Sequence, residues 1–321
     1  MNNFKKIGLS ALAGSLVATS AMAGEMSVAG SASMSLEHIN GGAANAGKSF
    51  SMGNQLTFSG GGELDNGLNV SVSFILDQND DSTAAGAAYT GGPFDSHSVS
   101  VGNDTFGTLT LAGEGGSSAQ SAIDTTAAGD IWDNFDGTGD LTVSTSATSN
   151  NMLSYKLPTI MDGVALTASY VPSASGTPSA GAWSVVYTGI DGLSISAAQG
   201  EGATAGSTID VTTYVVNYAY GPVTVGYSKN EYDHSTATSD QETTSWKVSY
   251  TVSDELSLTY GAEKIDTTGN VEDGEYASIS ASYTAGGMTL TAARQTGDNI
   301  NGTTTATKDQ ERWALGASFA F

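Results

Sequence analysis

The sequence predicts an all-β chain, a transmembrane antiparallel β-barrel of about 16 strands with its third outer loop folded inward. Three observations carry this. Apolar residues alternate with small polar ones at period two along almost the whole chain, which gives each strand one apolar and one polar face. No segment approaches the length of apolar run that a helical span needs, and without helices only a closed barrel satisfies every backbone group inside a bilayer. The connections between alternating segments go long, short, long, short, so the long ones gather at one end.

The N-terminus reads as an export signal. Lys5 and Lys6 are followed by a short apolar run from Ile7 to Thr19 and the small-x-small site Ala21-Met22-Ala23. Residues 1–23 would leave, and 24–321 would form the barrel. The composition fits such an address, with 41 Gly, 5 Pro, no Cys and 13% charged residues, against about 25% charged in an ordinary soluble domain. The absence of Cys removes disulfide and thiolate-metal chemistry. Acids outnumber bases 33 to 10. Loss of Lys5 and Lys6 would take the net charge from −23 to −25. No basic patch can be assembled, which excludes nucleic acid as a partner, and cations are favoured near such a surface.

The first strand begins at Glu25, with Met26, Val28, Gly30, Ala32, Met34 and Leu36 on one face and small polar residues on the other. The second runs near Phe50 to Leu64, and Asn66-Gly67 marks a tight hairpin. Leu68, Val70, Val72, Phe74 and Leu76 define the third. After the polar segment Asp77–Ser96 come two short strands, near Ser98–Gly102 and Gly107–Gly113. The stretch 114–150 then breaks the alternation for about thirty-five residues, too long for a structureless loop without a role. Beyond it the alternation resumes at Met152 and runs to Trp313, Leu315, Ala317, Phe319 and the terminal Phe321. Strand lengths near the 9 to 11 residues of a tilted spanning strand are expected. Tyr and Trp toward strand ends fit interfacial girdles. Arg294 breaks the pattern by sharing parity with Met288, Leu290 and Ala292. It sits above the lipid band or follows a bulge.

Three passages give a family resemblance. Val99–Gly113 resembles the strand pair that precedes the constriction loop of the Gram-negative general porins, especially the alphaproteobacterial type. Asn151–Pro158, continuing through Gly163 to Tyr170, resembles the pair that follows it. Phe321 closing an alternating aromatic strand resembles the family's insertion signal. The resemblance implies a sixteen-stranded homotrimeric diffusion channel in the cell outer membrane. It would lie against lipid and lipopolysaccharide, admit small hydrophilic solutes and perform no catalysis. One departure stands out. Where the family commonly has Gly-Arg entering the loop, Gly113 is followed by Glu114, and Arg294 and Arg312 are the only arginines. A strong transverse field between arginines and carboxylates is therefore in doubt. A secreted or surface-layer adhesive protein shares the composition but predicts neither Phe321 nor the loop alternation.

If the apolar parity faces lipid, Gln55, Glu114, Lys156 and Lys247 face the lumen. The loop 114–150 adds Asp124, Asp130, Asp133, Asp136 and Asp140. These eight charged residues, from Glu114 to Lys247, are the candidate pore constriction, with a cation preference. Ile131, Trp132 and Phe135 are expected to anchor the loop against the barrel wall or a small helical turn. No cofactor is expected. Asp133–Asp140 would be the place for a calcium ion, with plain hydration of the acids an open alternative. Asp77–Asp81 is not an EF-hand, because Ser82 and Ala88 occupy the positions of the required Gly and Glu. His38, His97 and His234 stand near no nucleophile motif.

Overall fold

The computed structural model describes residues 25–41, 47–77, 95–135, 141–303 and 309–321. The expected export signal, most of Asp77–Ser96, Asp136 and Asp140 lie outside the described residues. No described helix is long and apolar enough to cross a membrane. The chain forms β1 (Glu25–Gly41), β2 (Gly47–Glu63), β3 (Asn69–Asp77), β4 (Ser96–Asn103), β5 (Gly107–Glu114), β6 (Met152–Lys156), β7 (Val164–Val171) and β8 (Ala180–Tyr187). It continues with β9 (Leu193–Glu201), β10 (Ile209–Tyr220), β11 (Val223–His234), β12 (Gln241–Thr251), β13 (Leu256–Thr267), β14 (Gly274–Ala285), β15 (Met288–Asp298) and β16 (Gln310–Ala320). Each strand pairs antiparallel with its neighbour in sequence, and β1 pairs with β16, so the sheet closes on itself and has no open edge.

Closure is completed at the last residue. Phe321 exchanges two backbone bonds with Gly30, at 2.6 and 2.9 Å. Its ring lies where a Gly30 side chain would be, with Cε2 nearest the position of the missing Cβ. Turns between the other strand ends follow the expected chemistry. Gly67 takes φ 78° between Leu64 and Leu68. Asn103 Oδ1 accepts the Thr105 and Phe106 amides at 3.1 and 2.9 Å, an Asx turn.

Strand lengths depart from the expected narrow range. β1 and β2 have 17 residues, whereas β6 has 5. The first two run past any bilayer thickness into the long-loop end. β6 starts late because the returning loop occupies its place up to Asn151, held at φ 61°. The outward parity is apolar and exposed, as in Val216, Val225, Val248, Leu258 and Ile279. Tyr220, Tyr250 and Tyr283 lie nearer the short turns, and Trp183, Tyr214 and Trp246 nearer the long loops. Of the two expectations for Arg294, the structure removes the bulge. The pairing around it is regular, so no bulge is present, and it sits outward near the long-loop end with Nε 2.7 Å from Glu311 Oε1.

Buried side chains gather on the inward face of β7–β14. Val211, Thr213, Ser228, Asn230, Thr243, Ser245 and Ile265 are each 0% exposed. What covers them is the segment between β5 and β6.

Candidate functional site

The β5–β6 segment enters the barrel and lies along its inner wall. Gly115, at φ 68°, turns it inward. From there its backbone amides, and the Gln120 side chain, meet a row of inward side chains, one strand after another. Ala119 N donates to Ser169 Oγ on β7 at 2.8 Å. Gln120 Nε2 donates to Thr213 Oγ1 on β10 at 2.7 Å. Ala127 N donates to Ser228 Oγ on β11, and Ala128 N to Ser245 Oγ on β12, both at 2.8 Å. Trp132 N donates to Glu263 Oε2 on β13 at 3.0 Å. Loop amides that would otherwise be buried without partners are thus satisfied by the wall.

The tip is held by apolar packing. Ile131 and Phe135 bury themselves with Ile265, Tyr276 and Ile300, with Trp132 and Leu141 against the cluster. This is the anchoring role expected of Ile131, Trp132 and Phe135. The chain then returns nearer the long-loop end. Leu141 N reaches Ile300 O at 2.7 Å, Ser144 N reaches Gln241 Oε1 at 2.9 Å, and Ala147 N reaches Glu201 O at 2.9 Å.

The loop presents its carboxylates along this path. Asp124 Oδ1 accepts the Thr126 amide at 3.1 Å. Asp130, at φ 51°, accepts the Thr126 hydroxyl, and its own amide donates back to Thr126 Oγ1 at 3.0 Å. Asp133 is exposed in a single 3₁₀ turn, Trp132–Asn134. Desolvation holds the Asp124 carboxyl above the usual Asp range, and the nearby Asp130 charge adds to this. The Thr126 amide and the Lys247 cation oppose the shift.

Lys247 and Lys156 both face inward, as expected. Lys247 lies two residues beyond Ser245 on β12, opposite Gly226 and Gly261. Lys156 lies two residues beyond Ser154, which pairs with Ser169. Each lysine therefore stands one inward position below a hydroxyl row that holds the loop. Gln55 is inward too, opposite Ser31.

Glu114 is not where strict alternation puts it. Counting by twos from Thr110 and Ala112 aims it into the lumen. The β4–β5 register shifts between His97 and Ser98, however, and Glu114 pairs with His97. His97 shares its face with Phe74, which stacks outward on Phe58 at 4.9 Å. The extra residue of the bulge thus turns Glu114 to the outer face, with Oε2 3.8 Å from His97 Nδ1. Asp136 and Asp140 lie outside the described residues, as does part of the stretch named for calcium. Among the described residues no group of three or more His, Asp or Glu is placed to hold a metal.

The side chains that dock the loop, Ser169, Thr213, Ser228, Ser245 and Glu263, carry no sequence motif. Their inward parity was legible. Their meeting with the loop depends on closure. The departure in arginines has a structural counterpart. Arg312 faces inward but donates from Nε and Nη2 to Glu37 Oε2 at 2.8 and 2.7 Å, and from Nη1 to Gln295 at 2.6 Å. Arg294 faces outward. The wall lined by Ser31, Ser33, Gly53, Gln55 and Ser318 is uncharged.

The family model described as Gram-negative porin matches residues 8–273. No curated protein sequence matches the chain. Solved structures resemble it in fold. An anion-selective porin from Comamonas acidovorans superposes with TM-score 0.69 at 15% identity, covering 93% of this chain and 100% of that one. A loop L8 deletion mutant of the outer-membrane protein OmpT of Vibrio cholerae gives TM-score 0.68 at 18% identity, covering 93% and 100%. A mutant of the Rh. blastica porin gives 0.66 at 17% identity, covering 92% and 100%.

Proposed function

The chain belongs to the Gram-negative porin family, and from that premise we propose that its outer-membrane channel prefers cations among the small hydrophilic solutes and ions it admits. The observation that carries this is the loop pinned across the inner wall of β7–β14 with Asp124, Asp130 and Asp133 on it, facing few unpaired cations. Carboxylates around a narrow aqueous path favour cations, and low-dielectric walls focus their field. Lys156 and Lys247 oppose the preference, but the Lys247 charge acts on Asp124 and Arg312 is neutralised by Glu37. The fold does not set the sign. The Comamonas porin is anion-selective by name, so the charges of this chain decide.

In this reading solutes diffuse passively, without catalysis or energy coupling, and no cofactor takes part. We assign a homotrimer, with the outward face of β1 and β2 against a neighbour. Val28 and Ala32 there are small enough for close packing, with the Phe321 ring filling the place beside Gly30. Lipopolysaccharide surrounds the remaining outward face.

The test is a reversal potential across a planar bilayer under a KCl gradient. The wild-type channel should report cation preference. Asp124→Asn with Asp130→Asn should weaken it, whereas Asp233→Asn with Asp266→Asn, on the outer face, should leave it unchanged. Anion preference, or indifference to the loop aspartates, overturns the assignment. A monomeric mass in mild detergent overturns the trimer.

A further inference from the structure

The loop lies against the wall at places where the wall has no side chain. On β9, β13, β14 and β15, inward and buried, stand Gly200, Gly261, Gly274 and Gly297. A Cβ added at Gly200 would lie 2.6 Å from both Cβ and Oγ of Ser146. At Gly261 it would lie 2.7 Å from Ala128 Cβ and at Gly274 2.8 Å from Leu141 Cδ1, while at Gly297 it would meet both Ile300 Cγ2 at 3.0 Å and Phe135 Cγ at 3.1 Å. Four glycines on four strands each receive a loop residue, at separations shorter than the roughly 3.5–4.0 Å that carbon atoms prefer. Their pairing partners carry side chains, including Val211 opposite Gly200, Lys247 opposite Gly261 and Tyr276 opposite Gly297. The glycines are therefore local depressions beside larger inward side chains.

We propose that these inward glycines are the determinants of the channel's aperture: they form a seat that lets the loop sink toward the wall, and the depth of the seat fixes how far the loop projects into the lumen. This rests on the porin reading above and goes beyond it, because it assigns pore width to residues that touch no solute and bear no charge. A methyl group added at Gly261 would press directly on Ala128 Cβ. Neither methyl can rotate away, since alanine has no rotamers, and the β13 backbone is fixed by ladders on both sides. The loop must rise by about 1 Å to restore ordinary contact. It rises into the lumen.

The experiment is single-channel conductance of full-length protein in planar bilayers, for four variants alongside wild type. Gly261→Ala should lose conductance. Gly261→Ala with Ala128→Gly should regain it, because the next loop atom, Ala128 Cα, lies at an ordinary 3.5 Å from the added methyl. Gly53→Ala adds a methyl to the lumen on β2, where it meets only Ser33 Oγ at 2.9 Å, and controls for a methyl without a loop above it. Gly297→Ala, with milder approaches to Ile300 and Phe135, is read in place of Gly261→Ala if that variant fails to show heat-modifiable migration on a gel. It should lose conductance to a smaller degree. A glycine-seat variant that conducts like Gly53→Ala overturns the proposal. So does a loss at Gly261→Ala that Ala128→Gly leaves in place, since that would mark a general disturbance of the wall. A wild-type protein that opens no channel would instead defeat the porin reading itself, and the seat with it.

Discussion

Replacing Phe135 with alanine is expected to loosen the loop tip while leaving the barrel intact. Phe135 is 2% exposed, and its ring lies 5.8 Å from that of Tyr276 within the cluster of Ile131, Ile265 and Ile300. Behind it stands Gly297, which has no side chain to move into the void. The site therefore collapses poorly, and the cost belongs in the range of a core Phe→Ala change, about 3–5 kcal/mol. No strand pairing involves Phe135, so the cost falls on loop docking and not on the ladders. At about 1.4 kcal/mol per factor of ten, the undocked population rises by roughly two to nearly four orders of magnitude. Hydrogen bonds donated by the loop to Ser169, Thr213, Ser228, Ser245 and Glu263, each worth about 1 kcal/mol net, keep the docked form in the majority. Single-channel recordings should show excess open-channel noise with brief excursions to higher conductance. Limited proteolysis should cut near residues 129–135, where wild type resists. Heat-modifiable gel migration should be unchanged. Noise and cleavage identical to wild type would refute the anchoring argument, and loss of heat modifiability would show that Phe135 supports the wall itself.

Three further outcomes follow from the same geometry. Asp124 is held above the usual Asp range, so as pH falls it protonates before an ordinary aspartate, near pH 4. Cation preference, measured by reversal potential from pH 7 to 3, should begin to weaken above that value, and Asp124→Asn should abolish this early phase. An early phase that survives the substitution must come from another group. Glu114→Gln should leave ion selectivity within error, since the bulge points Glu114 away from the lumen. A shift toward anions would restore it to the pore. Removing Phe321 deletes its two backbone bonds to Gly30, about 1 kcal/mol each, together with the ring that covers that glycine. The temperature at which the folded band converts on a gel should fall. An unchanged conversion temperature would show that closure does not depend on the last residue.

The bottom-up reading works best where structure is local. Side-chain alternation is a property of the extended backbone alone, so faces assigned by parity hold along Thr212–Tyr220 or Leu256–Ala262 without knowledge of any neighbour. The loop was legible for the complementary reason, as the place where that period stops and later resumes. Ile131 and Phe135 were legible as anchors because an apolar pair in a polar loop needs something to cover it.

The amino-acid sequence by itself thus determined a strand-built barrel, its two faces, its two kinds of ends and the segment that fills it. Only the tertiary structure decided the facing of Glu114, because a bulge is a mismatch between two strands and neither strand records it alone. Only the tertiary structure decided where the loop docks. Trp132 and Glu263 stand 131 residues apart in the chain, and nothing local relates them. They meet because closing the sheet carries β13 across the lumen from β5, and the serines and glycines that receive the loop take on that role only from the closed wall.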